Sequence, residues 1–372
     1  MRKLFILCVV LVVHLFASEK SIISQTTFKP YGYIKLDMSY DSNLMSAVNY
    51  VRWVLPNQYI STPTTSITAK QSRFGINIEN GDISGKFEID FYGVGAENKG
   101  TPMLRKAYAE AKLKSFTIRA GQDSDVFSPL VPATINYPVA WWVGNIGYRR
   151  PMLKMFGYTN AFAWTVALAR NIGTDLPNGG CVFDCADGIN DGSTAVLPEF
   201  QGRLSATLSE KYTIGISCHY GKQKSIRVTD IIDDYIVEYK SWSTNLDFNI
   251  VLTPKITLLG ETFIGSNLSG ALGGIGNPNT FDGIYTKGGW LNLKFKPNSK
   301  NSISIGFSME NPDDHNLNNK QRSKNTMLFA NLYHDILQGF LVGFEISHWT
   351  THYKNLGKYS ATRGQLAFLY KF

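Results

Sequence analysis

Two adjacent arginines end a segment whose composition could recognise anions. Residues 119–151 read RAGQDSDVFSPLVPATINYPVAWWVGNIGYRRP, with Arg149 and Arg150 next to the final proline. Because a guanidinium is planar and presents a fork of donors, arginine suits the recognition of carboxylates. The pair could instead neutralise carboxylates of the protein itself, such as Asp123, Asp125 or Glu110. The sequence leaves both interpretations open, and the two can coexist.

Other residues that could do chemistry fail on spacing or context. In HWTTH, His348 and His352 lie in a strand-like segment, where residues four apart are separated by about 13 Å and cannot share one zinc ion. The acidic loop DCADGINDG resembles a calcium loop, but Ile189 occupies a position that needs an oxygen ligand. Ser217 and His219 lack an identifiable third member of a catalytic triad. We therefore predict no metal site, no cofactor and no enzymatic activity.

The segments that would position these residues alternate between apolar and polar side chains. In YGYIKLDMSY, Ile34, Leu36 and Met38 alternate with Lys35 and Asp37. A period of two predicts β-strands with one apolar and one polar face. Sixteen such segments follow one another to the C-terminus, and none of them extends into an apolar run long enough for a membrane-spanning helix.

Short turns alternate with long polar loops between the predicted strands. The long loops cover residues 41–68, 93–103, 124–150, 171–199, 223–234, 265–286, 311–321 and 352–359. This asymmetry is typical of transmembrane barrels. Since side chains can fill a barrel of only about eight strands, sixteen strands require a watery interior and an apolar face toward lipid. The sequence predicts an all-β fold, a 16-stranded antiparallel up-and-down transmembrane β-barrel with an inward-folded constriction loop.

The predicted constriction loop is the long loop after the fifth strand. Its rings and aliphatic side chains suit a loop packed on a wall better than one exposed to water. We assign to it Asp123, Asp125, Phe127, Trp141 and Trp142. A second loop, GSNLSGALGGIGNPNTFDG, lacks the following helix that phosphate binding needs, and we expect it to fold tightly over the pore mouth.

Cations recur on the polar face of several predicted strands. We assign to the pore lining Arg73, Lys86, Lys106, Arg119, Arg149, Arg150, Lys154 and Arg203. Together they predict a basic ladder that attracts anions and repels cations. Glu88, Asp90, Glu110 and Asp247 share that face and could leave the net field small.

The N-terminal residues predict export. Arg2 and Lys3 precede an apolar run that is too short to span a bilayer, which is the pattern of a signal peptide. We expect residues 1–17 to form the signal, 18–29 a short periplasmic segment and 30–372 the barrel. Without Arg2 and Lys3 the net charge falls from +8 to +6, and the scattered cations argue against a nucleic-acid partner.

Two smaller features carry predictions of their own. Cys181 and Cys185 flank three residues of a polar loop and could form a local disulfide in an oxidising compartment. The alternating terminal segment GQLAFLYKF ends in Phe372 and resembles the signal that delivers outer-membrane proteins to the barrel-assembly machinery.

Several stretches together resemble the DcaP-like outer-membrane porins. They are RAGQDSDVFSPL…NIGYRRP, GETFIGSNLSGALGGIG, GGWLNLKFKP, MENPDDHN, RSKNTMLFANLY and GFEISHWTTHY, in the order of the family. The resemblance implies a homotrimer of sixteen-stranded barrels that passes small anionic solutes, with aromatic or aliphatic dicarboxylates as the substrate class. It also matches Arg119, Arg149, Arg150 and Arg203 to pore-facing cations. The chain departs from some members in lacking a long N-terminal coiled coil, and in its CVFDC insertion.

The sequence thus predicts a passive diffusion channel in the outer membrane of a Gram-negative-type cell. The expected partners are small anionic solutes, outer-membrane lipid, the barrel-assembly machinery and further copies of the chain, but not nucleic acid. An alternative is a plugged barrel that acts as an adhesin or ligand receptor, which the length of loops 41–68 and 171–199 favours. A channel for neutral or cationic solutes is a second alternative, which the inward carboxylates favour.

Overall fold

Seventeen strands form one antiparallel sheet that closes on itself. The computed structural model describes residues 26–47, 49–56, 62–93, 97–171, 197–227, 235–280 and 282–372. The strands are β1 Thr27–Asp41, β2 Thr64–Thr68, β3 Arg73–Asn80, β4 Ile83–Asp90, β5 Met103–Lys112, β6 Thr117–Ser124, β7 Arg149–Tyr158, β8 Phe162–Ala169, β9 Glu199–Leu208, β10 Tyr212–Arg227, β11 Tyr235–Thr253, β12 Ile256–Ser266, β13 Tyr285–Phe295, β14 Asn301–Pro312, β15 Arg322–Leu337, β16 Phe340–Tyr353 and β17 Gly357–Lys371. Short 3₁₀ turns lie at Glu97–Lys99, Ser269–Ala271, Gly274–Gly276 and Asp314–Asn316.

The seventeen strands occupy sixteen positions around the barrel, because β2 and β3 lie end to end beside the same strand, β1. The first part of β1 pairs with β3 and its last part pairs with β2. The ladder is interrupted between them, where the Ser72 hydroxyl accepts from the Lys35 backbone N–H at 3.0 Å. The other strands pair in chain order, and β17 closes the barrel on β1. The predicted sixteen-stranded barrel is confirmed, although β1 begins at Thr27, ahead of the predicted start at residue 30.

The two faces of the strands differ as the alternation predicts. Leu204, Ile216 and Phe344 stay half exposed or more on the outer face. Their inward neighbours, such as Ser217 and Glu345, are polar and buried within the barrel. An apolar outer band around a polar interior is the arrangement that lipid requires of a barrel.

No helix among the described residues is both long and apolar enough to cross a bilayer.

The barrel is sealed where the C-terminus meets the first strand. Gly32 and Phe372 exchange two backbone hydrogen bonds, of 3.1 and 3.2 Å. Toward the other end of this seam, Arg363 of β17 binds both carboxylate oxygens of Asp41 at 3.0 and 2.7 Å. Both side chains of that pair are almost fully buried. The Phe372 ring packs against Phe74 of β3 at 5.8 Å, so the last residue joins the closing contact.

Replacement of Arg363 by Met should destabilise the barrel, because it leaves the Asp41 carboxylate buried without its cation. Breaking a buried ion pair from one side costs about 3–5 kcal/mol. Urea unfolding of the protein in detergent micelles measures the loss. As a control on the same strand β1, Lys29→Met removes the exposed pair with Glu79 and should change stability by no more than about 1 kcal/mol. Equal losses in the two variants would contradict this view of the seam.

Candidate pore lining and constriction loop

The loop between β6 and β7, residues 125–148, folds inward and follows the inner wall. Its backbone N–H groups donate to lumen-facing side chains of four strands, which the loop meets in chain order as it runs around the barrel. These bonds join Val126 to Gln201 of β9 (2.8 Å), Leu130 to Glu261 of β12 (2.7 Å), Ala133 to Asn292 of β13 (2.9 Å) and Ile135 to Glu345 of β16 (2.6 Å). The predicted inward-folded constriction loop is therefore confirmed, and it covers the wall from β9 to β16.

Two more loops fold inward and lock onto the constriction loop. In the loop after β12, Leu272 accepts from the Trp142 N–H at 2.9 Å. In the loop after β1, the Val54 carbonyl accepts from the Tyr353 hydroxyl of β16 at 2.7 Å. Asn325 of β15 donates to the Trp142 carbonyl at 3.0 Å. The loop after β12 is the glycine-rich loop of the sequence. It thus lies inside the mouth of the barrel, where its tight turns pack against the constriction loop.

The strands β3–β7 carry a dense group of charged side chains on the lumen side. The wall cluster, as we call it, consists of six cations, Arg73, Lys86, Arg105, Lys106, Arg119 and Lys154, and four carboxylates, Glu88, Asp90, Glu110 and Asp123. Asp123 accepts from Lys106 at 2.8 Å, from Arg119 at 2.6 Å and from Lys154 at 2.7 Å. One carboxylate thus orients three cations from three neighbouring strands.

Two further carboxylates of the wall cluster, Glu88 and Asp90, bind an arginine that a β-bulge turns toward the lumen. Glu88 pairs with Lys106 and Ile89 pairs with Leu104, so Arg105 is an extra residue in β5. Arg105 donates to Glu88 at 2.8 Å and to Asp90 at 2.6 Å. Because the bulge places one more residue between two paired positions, Arg105 and Lys106 both contribute to the lumen side. Strict alternation assigns Arg105 to lipid, and for that reason it is missing from the predicted pore lining.

Three of the four carboxylates of the wall cluster, Glu88, Asp90 and Asp123, lie behind its cations. The side chains of Lys106 and Arg119 are 26% and 20% exposed, and that of Asp123 is 2% exposed. Arg105 is likewise more exposed than Glu88 and Asp90. Glu110 differs, since its side chain is 21% exposed beside the 20% of Arg119. At the other three carboxylates, water in the lumen meets guanidinium and ammonium groups first, and the negative charge is recessed into the wall.

The two arginines at the end of the constriction loop do not join this surface. Arg150 is buried, and its guanidinium binds Asp125 at 2.7 and 2.9 Å and Glu199 at 3.1 Å. It also donates to the Gly270 carbonyl at 3.1 Å. The assignment of Arg150 to direct contact with solutes is wrong, because its donors are occupied and inaccessible. Neutralisation of Asp125, the alternative interpretation, is what the structure contains.

Arg149 is also buried, but it is held by rings. Its guanidinium lies 4.6 Å from the Tyr148 ring centre and 5.8 Å from that of Trp141. Its Nε and Nη2 atoms have no hydrogen-bond partner within the described part of the chain. The aromatic faces supply cation–π attraction in place of a carboxylate. Arg149 therefore contributes charge at the loop base without facing open water.

The remaining predicted pore cations lie on the lumen side in two different settings. Arg203 forms a fork with Asp247 of β11 at 3.0 and 2.6 Å and stays partly exposed. Lys86 stacks its ammonium 4.6 Å from the Tyr31 ring centre. The Nε atom of Arg73 lies 3.8 Å from the Oε1 atom of Glu88. These cations extend the positive surface along the lumen.

Aromatic side chains of three loops fill the space above the wall cluster. The aromatic cluster consists of Tyr50 and Trp53 from the loop after β1, Tyr92 from the loop after β4, and Tyr137, Trp141, Trp142 and Tyr148 from the constriction loop. Trp53 and Trp142 meet edge to face at 6.3 Å. Phe127, at the start of the constriction loop, instead stacks on His219 of β10 at 4.3 Å. Of the predicted constriction residues, Phe127, Trp141 and Trp142 are thus packed inside the barrel. The assignment of Asp123 to the loop is wrong, because this residue lies on β6 and pairs with cations of the wall.

The other motifs do not assemble into sites. Ser217 donates to the Phe127 carbonyl, and His219 is bonded to Ser243 and Ser241, so the two do not form a pair. In the described ranges, no group of three or more histidine, cysteine or acidic residues could hold a metal ion. Cys181, Cys185 and the DCADGINDG loop lie outside the described residues.

The bulge in β5 predicts which introduced thiols face water. In a background without other cysteines, Arg105→Cys and Lys106→Cys should both react with a charged, membrane-impermeant thiol reagent from the lumen. Leu104→Cys, on the lipid side, should not react. The modification is measured by mass spectrometry of protein in lipid vesicles. An inert thiol in the Arg105→Cys variant, with a reactive thiol in Lys106→Cys, would contradict the bulge.

Replacement of Arg150 by Met should loosen the base of the constriction loop. It leaves Asp125 and Glu199 buried without their cation, at a cost of about 3–5 kcal/mol. Limited proteolysis and urea unfolding measure the effect. Lys106→Met, at a more exposed position of the lumen wall, should be clearly milder, and an equal loss in both would contradict the structural role of Arg150.

Neither a protein-family model nor a curated protein sequence matches the chain. Solved structures do match it over nearly its whole length. The outer-membrane channel DcaP of Acinetobacter baumannii aligns with a TM-score of 0.73 at 16% identity, covering 96% of this chain and 99% of that one. The anion-selective porin from Comamonas acidovorans aligns with a TM-score of 0.60 at 12% identity, covering 93% and 100%.

The trimer form of OmpT from Vibrio cholerae, an outer-membrane protein, aligns with a TM-score of 0.58 at 9% identity, covering 93% of this chain and 99% of that chain. At these identities the comparisons establish the fold alone. They confirm the predicted resemblance to DcaP-like porins at that level. The chain has the fold of a Gram-negative outer-membrane porin barrel.

Proposed function

We propose that this protein is a passive diffusion channel of the outer membrane that prefers small anionic solutes. Water in a sixteen-position barrel lets a solute cross without the cost of entering lipid, the constriction loop limits its size, and fixed cations select its charge. Weak binding at several separate cations allows the solute to leave as readily as it enters.

The recessed carboxylates of the wall cluster carry this proposal. The cluster holds six cations and four carboxylates, so its net charge is +2. Glu88, Asp90 and Asp123 are more buried than the cations that they bind, as the 2% exposure of Asp123 beside the 26% of Lys106 illustrates. A solute in the lumen therefore experiences more positive potential than the net charge alone would produce, since nearby charges act most strongly.

The resemblance found in the sequence and the solved structures support further proposals on substrate class and assembly state. Carboxylates suit this wall, because Arg105 and Arg119 carry partly exposed positive charge at separate places on the lumen side. We therefore extend the proposal to dicarboxylates, as the resemblance to DcaP-like porins implies. A homotrimer is supported by the trimer form of the structurally similar OmpT. The pairing of Phe372 with Gly32 supports its role in assembly.

One observation favours the alternative of a plugged receptor. Three loops meet in the aromatic cluster, whose Trp53, Trp141 and Trp142 side chains are buried. A barrel closed by such a plug would hold its ligand at the outer loops and conduct no ions. Conductance of the purified protein in a planar bilayer separates the two functions.

The zero-current potential under a KCl gradient tests the proposal. The native protein should prefer chloride, and the double variant Lys106→Gln, Arg119→Gln should lose most of that preference, because it removes both units of net charge from the wall cluster. Lys287→Gln, on the outer face of β13, is the matched control and should behave like the native protein. A potassium preference would overturn the anion channel, and absence of conductance would favour the plugged receptor.

A further inference from the structure

Tyr137 connects the constriction loop to strands β4 and β5 of the barrel wall. Its hydroxyl lies 2.8 Å from Asp90 of β4 and 2.7 Å from the Arg105 guanidinium of β5. Two residues earlier, Ile135 is still bound to Glu345 of β16. Between these two contacts, Lys35 of β1 donates to the Ile135 carbonyl at 3.0 Å. The loop thus passes from β16 over β1 to β4 and β5, along neighbouring positions of the barrel, and Tyr137 makes its contact with the wall cluster.

The chemistry of the contact gives each partner one role. The Tyr137 hydroxyl donates to the Asp90 carboxylate and accepts from the Arg105 guanidinium, and Arg105 also binds Asp90 directly at 2.6 Å. Burial raises the pKa of the Tyr137 hydroxyl above its usual value, so it remains a donor across the physiological range. Bonds to charged partners are about twice as strong as bonds between neutral groups.

The backbone that follows would not hold this position unaided. Val139, Ala140 and Trp142 have φ values of 44°, 63° and 62°, in the left-handed region that side chains disfavour. Such a backbone conformation is strained and persists only where surrounding contacts enforce it. The ring of Tyr92 stacks on Tyr137 at 4.0 Å, and the hydroxyl contact ties the same side chain to the wall.

We propose that Tyr137 is a latch that sets the solute-size limit of the channel. While its hydroxyl binds Asp90 and Arg105, the tip of the constriction loop is fixed against β4 and β5 and narrows the lumen along that part of the wall. When the latch opens, the tip moves away from β4 and β5, and bulkier solutes pass. The inference rests on the proposed channel function and adds to it the residue that determines its size limit.

The variant Tyr137→Phe isolates the latch. It keeps the aromatic ring against Tyr92 and leaves the Asp90–Arg105 pair intact, so no buried charge loses its cation and the fold is retained. Loss of a hydrogen bond to charged groups should raise the population of the released loop by at least about tenfold. Single-channel recording should show correspondingly more frequent transitions to higher conductance. Vesicle swelling should show a selective gain for raffinose, a trisaccharide, over arabinose, a monosaccharide.

Tyr92→Phe is the matched control. Its hydroxyl donates to the Asn49 carbonyl of another loop at 2.9 Å, so its loss should leave the size limit unchanged. Native-like conductance and sugar selectivity in Tyr137→Phe would overturn the latch while leaving the channel in place, and so would an equal gain in both variants. A native protein that conducts nothing and admits no sugar would instead overturn the proposed function itself.

Discussion

Buried carboxylates organise the interior of this barrel. A carboxylate taken out of water must be paired with cations or accept several hydrogen bonds, because an isolated buried charge is costly. Asp123 meets this requirement with three cations from neighbouring strands. Glu261 and Glu345 meet it by accepting from backbone N–H groups of the constriction loop. The same constraint thus places the cations on one wall and the loop on the other.

The two kinds of partner give the lumen two different sides, one covered by the constriction loop and one lined by cations. From β9 to β16 the wall is covered by the constriction loop, whose carbonyl and N–H groups are satisfied by lumen-facing side chains. From β3 to β7 the wall remains partly open, and its carboxylates hold lysine and arginine side chains toward water. Arg150 belongs to neither surface, since it joins Asp125 and Glu199 at the base of the loop. Whether an arginine near the constriction faces water therefore depends on how deeply it is buried, and residue type alone does not predict it.

The alternation of side chains carries most of the fold. A period of two specifies which face each residue occupies, and the strand count specifies that the interior is too wide to be filled. Local register changes are invisible to that reasoning. Arg105 faces the lumen only because a bulge adds one residue to β5. The adjacent charges of Arg105 and Lys106 were a signal of this bulge in the sequence, because strict alternation would place one of them toward lipid, where a charge is costly.

Tertiary contacts decide the rest of the site, and alternation does not report them. Arg149 and Arg150 adjoin in the chain, yet one lies among rings and the other among carboxylates. Glu261, Glu310 and Glu345 read as ordinary polar-phase residues, and their partners are loop N–H groups that come from distant parts of the chain. The inward fold of the loop after β1 has the same origin, since Val54 is held by Tyr353 and Thr351 of β16.

The central claim is that the cations of the wall cluster shield Glu88, Asp90 and Asp123 from the water of the lumen. Anomalous diffraction from crystals soaked in rubidium bromide tests it directly, because the two ions are distinguished by their absorption edges. We expect bromide beside Lys106, Arg119 and Arg105, and no rubidium at Glu88, Asp90 or Asp123. Rubidium bound at Asp123 or Glu88, with no bromide on that wall, would contradict the account.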